Sequence, residues 1–295
     1  MKVTLLDGGI GHELVKRAGD SPTPLWSTQA MMDNPGLLEA IHRDYFDAGA
    51  TIATANTYAV LRDRLVKDGI EDRFASLQSA ALAEARAAAR GRGRVAGAIG
   101  PLVATYRPET HPPHTQAVPQ YAEVARLMAD RVDLILCETV ASLTHARAIL
   151  KGALAAGKPV WVSFTVDDED GSRLRSGERV AEAARAVADG GADAILANCA
   201  APEAMPAALD AIAPTGLPYG AYGNAFTRLT KDFLRDAPTA DSQTPRRDMG
   251  PDTYAGHALS WLDHGATILG GCCETGPAHI AEIARRLRAA GHQIV

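Results

Sequence analysis

The chain has 295 residues, 46% hydrophobic and 22% charged, the proportions of an ordinary globular protein. Its formal net charge is -5, with Lys and Arg scattered rather than clustered, which argues against nucleic acid or an anionic membrane as partner and leaves small-molecule work as the default. The opening MKVTLLDGG is too short an apolar run for a signal peptide, and no stretch approaches the roughly 18 apolar residues of a membrane span, so a cytoplasmic location is expected.

The first apolar run, VTLLD (3–7), meets a Gly-Gly turn and the amphipathic GHELVKRAG. PGLLEAIHRDYFDAG reads as a helix before ATIATAN (50–56), and FASLQSAALAEARAAAR as another before VAGAIG (95–100). DLILCE (133–138), PVWVSFT (159–165), DAILANC (193–199), LPYGAYGN (217–224) and ATILGGCC (266–273) complete eight predicted strands, alternating with about eight helices. Continuous rather than alternating apolar character suits strands covered on both faces, as in a parallel sheet. The GA or AG pairs of DAGAT, DGGAD and DHGAT supply helix-ending glycines. With no compositional break, the pattern predicts an α/β fold, a single-domain (β/α)₈ TIM barrel over 1–295. Three irregular segments, 105–120, 167–178 and 232–252, follow strands and are expected at the C-terminal face, where barrel enzymes place their sites. The proline-rich first of these reads equally as a solvated spacer.

The strand ends carry the chemistry: Asp7 with Gly8 and Gly9, Asn56 with Tyr58, Gly100, Glu138, Thr165, Cys199, Asn224, and Cys272 with Cys273. Asn56, Thr165 and Asn224 are explained well enough as polar residues that end strands. Gly8 and Gly9 read either as a packing turn or as a nest of backbone N–H groups for a carboxylate. Glu138, after a buried run, needs a cation: a substrate ammonium, or Arg107 or Arg175 from the loops. Cys137 should point away from the site into packing, and His111 and His114 are expected in solvent.

There are four cysteines, and in a reducing compartment thiols, thiolates or metal ligands are expected rather than disulfides. Vicinal Cys272 and Cys273 with Cys199 would make a Cys₃ zinc set with the fourth tetrahedral position open. Three thiolates donate so much charge that the ion is poorly suited to acidifying water. A fourth thiol would still ionise there and keep an electron-rich sulfur, which favours alkyl transfer to a thiol. A zinc hydrolase or lyase is the competing chemistry, and it would normally use His or carboxylate ligands.

The stretches LLDGGIGHEL, PLWSTQAMMDNPGLLEAIHRDYFDAGATIATANTY, the ET of LCETVAS, ANCA around Cys199, and GGCCETGPAHI resemble the homocysteine S-methyltransferase family over nearly the whole chain. The resemblance implies a TIM barrel with Zn²⁺ on Cys199, Cys272 and Cys273 and the sulfur of L-homocysteine as fourth ligand. It further implies Gly8 and Gly9 at the amino-acid carboxylate, Asp7 and Glu138 at its ammonium, and Trp26 and Tyr58 near the methyl donor, although Trp26 reads equally as a packing residue. The donor would be a sulfonium or quaternary ammonium, whose charge aromatic faces attract. S-methylmethionine or S-adenosylmethionine is favoured, with a betaine or dimethylsulfoniopropionate as alternatives. AIGPLVATYRPE (98–109) departs from the GPYGA-type pattern of S-methylmethionine enzymes, so this loop is expected in the donor pocket. The chain ends soon after the predicted eighth helix, so neither a dimerisation extension nor a folate or cobalamin module is expected. A homocysteine or zinc sensor without turnover is the reading from another class.

Overall fold

A computed structural model of the protein describes residues 1–19, 23, 25–227 and 244–295. The strands are β1 (Lys2–Leu5), β2 (Ile52–Ala55), β3 (Arg94–Ile99), β4 (Leu134–Val140), β5 (Val160–Phe164), β6 (Ala194–Asn198), β7 (Tyr219–Tyr222), β8 (Ile268–Leu269) and β9 (Gln293–Ile294). They form one parallel sheet in the order β2-β3-β4-β5-β6-β7-β8-β1-β9. A bridge between Leu6 and Ile52, with the Thr51 amide donating to the Leu5 carbonyl at 2.7 Å, brings β1 against β2 and closes the first eight strands into a barrel. The predicted (β/α)₈ architecture is therefore present. The strand β9, which pairs with the start of β1 outside the barrel, was not anticipated, because QIV is too short to show a period.

Period-two alternation sorts the strand side chains into two layers. Leu6, Ile52, Ala96, Leu134, Leu136, Trp161, Ala194, Leu196, Tyr222 and Ile268 form a cluster that plugs the barrel, and Cys272 packs on it. Ile135, Cys137, Val162 and Ile195 face outward into the larger core beneath the helices. Cys137 is fully buried there, as the alternation predicts. Left-handed glycines end helices where the GA and AG pairs foretell it, at Gly49 (φ 113°) and Gly265 (φ 79°).

Three local expectations need correction. Glu138 does not end its strand: β4 continues to Val140 through an irregularity between Cys137 and Val140, with Thr139 at φ 59°. That bulge brings Thr139 to the cavity wall next to Glu138, a device strands use next to sites. The first irregular segment is half helical, since a helix starts at His114. Its His111 is not solvated: it is half-buried, its ring 4.4 Å from that of His145 and its Nε2 2.9 Å from the Tyr121 hydroxyl. His114 is exposed, as expected. Of the third segment, 232–243 lies outside the described residues, and the helix Pro251–Ser260 begins at its end.

Candidate active site

A cavity of about 400 Å³ opens at the C-terminal ends of the strands. It is lined by Asp7, Gly8, Gly9, Trp26, Tyr58, Glu138, Cys199, Cys272 and Cys273, so every predicted site residue meets in one place. Asn56 lines it too, while its amide donates to the Ser27 carbonyl at 3.3 Å. Val103, Ala104, Thr105 and Tyr106 form part of the wall, so the stretch 98–109 reaches the cavity, while of the proline-rich segment 105–120 only Thr105 and Tyr106 line it. Among the described residues, six other than glycine adopt positive φ: Trp26, Val103, Tyr106, Thr139, Cys199 and Glu274. All but Glu274, next to Cys273, line this cavity, the clustering of backbone strain found at functional sites.

The three cysteines arrive from two directions. Cys199 follows β6, its amide donating to the Tyr222 carbonyl at 3.3 Å. Its carbonyl accepts from the Thr165 hydroxyl at 3.2 Å and from Arg175 at 3.4 Å. Cys272 and Cys273 sit in the turn after β8, the first held by its amide on the Gly223 carbonyl at 2.9 Å. The second is held through its carbonyl on the Ala225 amide at 3.0 Å. The Thr275 hydroxyl caps the turn on the Cys272 carbonyl at 2.6 Å, and Tyr45 holds the Thr275 carbonyl at 2.9 Å.

The ligand atoms of all three cysteines lie within 4.8 Å of one another, a group that could hold a metal ion. Three sulfurs at about 2.3 Å from one tetrahedral ion stand about 3.8 Å apart. Cys273 Sγ lies 3.9 Å from that of Cys199 and 4.0 Å from that of Cys272, as such a site requires. Cys199 and Cys272 depart from the expectation of free thiols: the structure joins them as a disulfide. Their Cα atoms are 5.9 Å apart, within disulfide range, so the convergence that suits a metal also permits this bond. Metal and disulfide are alternatives, since the ligand is the thiolate. Burial, with Glu274 and Glu138 adding to it, pushes the Cys273 thiol up to about 12, so without a cation it stays protonated.

The two carboxyls are perturbed in the same way. Asp7 accepts from the Thr54 amide at 2.6 Å and the Thr54 hydroxyl at 2.7 Å, yet burial pushes it up to about 7. Glu138 accepts from the Tyr222 hydroxyl at 3.0 Å, and burial, reinforced by Asp7, pushes it up to about 8. The loop arginines are engaged elsewhere: Arg107 pairs with Glu109 at 2.8 Å and Arg175 with Asp168 at 3.0 Å. The Gly8–Gly9 turn is tight, for a Cβ on Gly9 would lie 2.5 Å from the Cys272 carbonyl oxygen. The packing reading of the turn therefore holds at Gly9, whose amide also donates to the Thr275 carbonyl at 2.9 Å. Gly100 is likewise forced, its Cβ position falling 2.6 Å from the Tyr58 carbonyl oxygen.

Trp26 and Tyr58 are both half-buried on the wall, the Tyr58 hydroxyl 3.0 Å from that of Thr105. His12 stands between Trp26 and Phe226, ring centres 4.9 Å and 5.0 Å away, and burial holds it down at about 4. It is therefore uncharged at neutral pH.

Sequence reasoning missed Tyr222, although the inward period of PYGAY marks it, and it missed the clamp behind Cys199. In that clamp the Arg175–Asp168 pair is only 10% and 13% exposed, and Asp168 also accepts from the Ala201 amide at 2.8 Å. Charge-assisted bonds of this kind are the strong ones, and they fix a residue with φ 49°.

Residues 4–287 match the profile described as homocysteine S-methyltransferase. Homocysteine S-methyltransferase YbgG of Bacillus subtilis is 27% identical over 95% of this chain and 93% of its own. Homocysteine S-methyltransferase 4 of Zea mays is 28% identical over 97% and 90%. Among solved structures, the metallated form of the homocysteine methyltransferase MmuM from Escherichia coli superposes with a TM-score of 0.81 at 26% identity, covering 97% of this chain and 96% of that one. An oxidised form of the same enzyme gives a TM-score of 0.81 as well. With the profile spanning almost its whole length, the chain belongs to the homocysteine S-methyltransferase family.

Proposed function

We propose that the protein methylates the sulfur of L-homocysteine, giving methionine, from a small onium donor, S-methylmethionine or S-adenosylmethionine being favoured, with Zn²⁺ held by Cys199, Cys272 and Cys273. The whole chain, 1–295, serves as the homocysteine-binding barrel. The observation that carries this reading is the convergence of three sulfurs and two carboxyls, neither paired with a lysine or arginine among the described residues, in one cavity of a family member. Zinc, when bound, supplies the positive charge that lets an acceptor thiol ionise at neutral pH.

The remaining work falls to the chain. Asp7 and Glu138 take the ammonium of the amino acid, since neither has a lysine or arginine partner among the described residues and His42, 3.9 Å from Asp7, is held neutral by burial. Its carboxylate lies at the N-terminal turn of the helix Ile10–Ala18, which has no side-chain cap and whose first residues line the cavity. Trp26 and Tyr58 face the onium methyl, and neutral His12 adds no opposing charge. Because the acceptor has already lost its proton, in-line displacement needs no general base, and the walls contribute positioning and exclusion of water. No described helix is long and apolar enough to cross a membrane. A reducing cytoplasm is the compartment that keeps Cys199 and Cys272 open as ligands.

The test is methionine formation from homocysteine by reduced, zinc-loaded protein, with S-methylmethionine, S-adenosylmethionine, glycine betaine and dimethylsulfoniopropionate in parallel and a chelated control. Turnover lost with the metal supports the reading; homocysteine binding without turnover from any donor would favour the sensor.

The raised carboxyls predict a pH dependence. Both pKa values lie above the usual carboxylate range, so the neutral form prevails at low pH and the form that attracts an ammonium accumulates as pH rises through about 7 and about 8. Affinity for methionine, which carries the ammonium but no thiol to titrate, should rise on the order of tenfold between pH 6 and 8. Calorimetry should show proton release on binding, and Asp7→Asn should flatten the profile. A flat profile in the unaltered protein would remove the carboxyls from the ammonium site.

A further inference from the structure

Arg64 stands on the cavity wall with no carboxylate in ion-pair range among the described residues. It projects from the short helix Arg62–Leu65 after β2, four strands from β6 and so across the barrel mouth from Cys199. Its Nη2 donates to the Pro101 carbonyl at 2.9 Å and the Thr105 hydroxyl at 3.3 Å, and its guanidinium lies 5.5 Å from the centre of the Tyr58 ring. Its Nε is sealed from solvent without an acceptor, and Nη1 makes no hydrogen bond among the described residues. All these partners are neutral. By contrast Arg62 is paired with Glu123 at 2.8 Å, and Arg175 with Asp168 at 3.0 Å. Exposed Lys67 lines the same end of the cavity, also without a carboxylate in ion-pair range among the described residues. Asp7 and Glu138 thus lie in one part of the cavity, and Arg64 and Lys67, neither of them in an ion pair among the described residues although Asp68 lines the same wall, lie in another. A half-buried cation without a counter-ion is costly unless a ligand supplies one.

We propose that Arg64, assisted by Lys67, is the carboxylate anchor of the methyl-donor site and makes the enzyme selective for onium donors that carry a carboxylate. This rests on the methyl-transfer reading above. A guanidinium presents parallel N–H donors that match a carboxylate, and the neighbouring Tyr58 face serves the onium charge on the same molecule. Two sources share this chemistry. A donor built on an α-amino acid also brings an ammonium, for which Asp68 on the same wall is the counter-charge. A betaine-type donor does not.

The experiment uses the reduced, zinc-loaded full chain with homocysteine and four donors: S-methylmethionine, glycine betaine, dimethylsulfoniopropionate, and trimethylsulfonium, which has no carboxylate. In Arg64→Gln the preference for the best carboxylate donor over trimethylsulfonium should fall on the order of a hundredfold, through KM of that donor, while KM for homocysteine moves less than about threefold. Arg64→Lys should recover part of the loss. Lys67→Gln, at an exposed position with no fold to disturb, should raise the same KM several-fold. Asp68→Asn should weaken only the amino-acid donor if that is the natural source. An undiminished preference in Arg64→Gln and Lys67→Gln overturns the proposal, as does a rise in homocysteine KM alone, which would assign Arg64 to the acceptor. Calorimetric binding of the same donors separates the two claims. Arg64-dependent binding with no turnover keeps the anchor and sinks methyl transfer, whereas turnover indifferent to Arg64 does the reverse.

Discussion

Cys272→Ser is expected to release the metal and to lower methyl transfer on the order of a thousandfold or more, while the barrel stays folded. A serine hydroxyl remains protonated at neutral pH, so the ion loses a charged soft donor and keeps only two thiolates. The fold should tolerate the change, because oxygen nearly fills the space of sulfur and the turn is held by backbone bonds, from the Cys272 amide to Gly223 and from Thr275 to the Cys272 carbonyl. Metal per chain, turnover and circular dichroism are the readouts, against the unaltered protein reduced to open its Cys199–Cys272 bond. Full metal content and activity in the variant would remove Cys272 from the ligand set. Cys137→Ser is the contrast, since that side chain lies in the outer core.

Gly9→Ala should damage stability and metal binding together. The new Cβ would stand 2.5 Å from the Cys272 carbonyl oxygen and 3.2 Å from the Cys273 Cα. Both obstacles are main chain and cannot swing aside as a side chain would. Overpacking of this kind costs roughly 1–3 kcal/mol, which lowers Tm by several degrees in a chain of this size. The strain displaces the turn that carries Cys272 and Cys273, so metal affinity should fall on the order of 10- to 100-fold. Thermal melts of the metal-free protein and competition with a chromophoric chelator measure the two effects separately. Unchanged values in both would mean that the turn can retreat without consequence.

The barrel was legible because buried parallel strands write themselves as short apolar runs between helical patterns. All eight runs became strands, and even ATILGGCC, of which only Ile268 and Leu269 are paired strand, was placed correctly. The alternation along DLILCE also separated Cys137 from Glu138, which the bulge after Cys137 does not undo. The three cysteines and two carboxyls could be gathered into one site because a barrel brings its strand ends to one rim. What stayed hidden depends on partners distant in sequence: the Tyr222 hydroxyl on Glu138, the Arg175–Asp168 brace on Cys199, and His111 stacked on His145. No local pattern encodes such pairs. The glycine pair left two readings open for the same reason, since only the position of Cys272 decides how much room Gly9 has.

The closing seam of the barrel gives Asp7 a second importance. Between β1 and β2 the main chain contributes the Leu6–Ile52 bridge and the Thr51 amide bond, and beyond them the Asp7 carboxylate continues the zipper by accepting both the amide and the hydroxyl of Thr54. A group that lines the cavity is therefore also a stitch in the cylinder wall. Thermodynamic reciprocity then applies: whatever alters the charge of Asp7 alters the grip on Thr54, and whatever parts this seam alters the proposed ammonium site by the same free energy. The exchange rate of a single amide proton, that of Thr54, is thus a gauge of occupancy read from the wall itself.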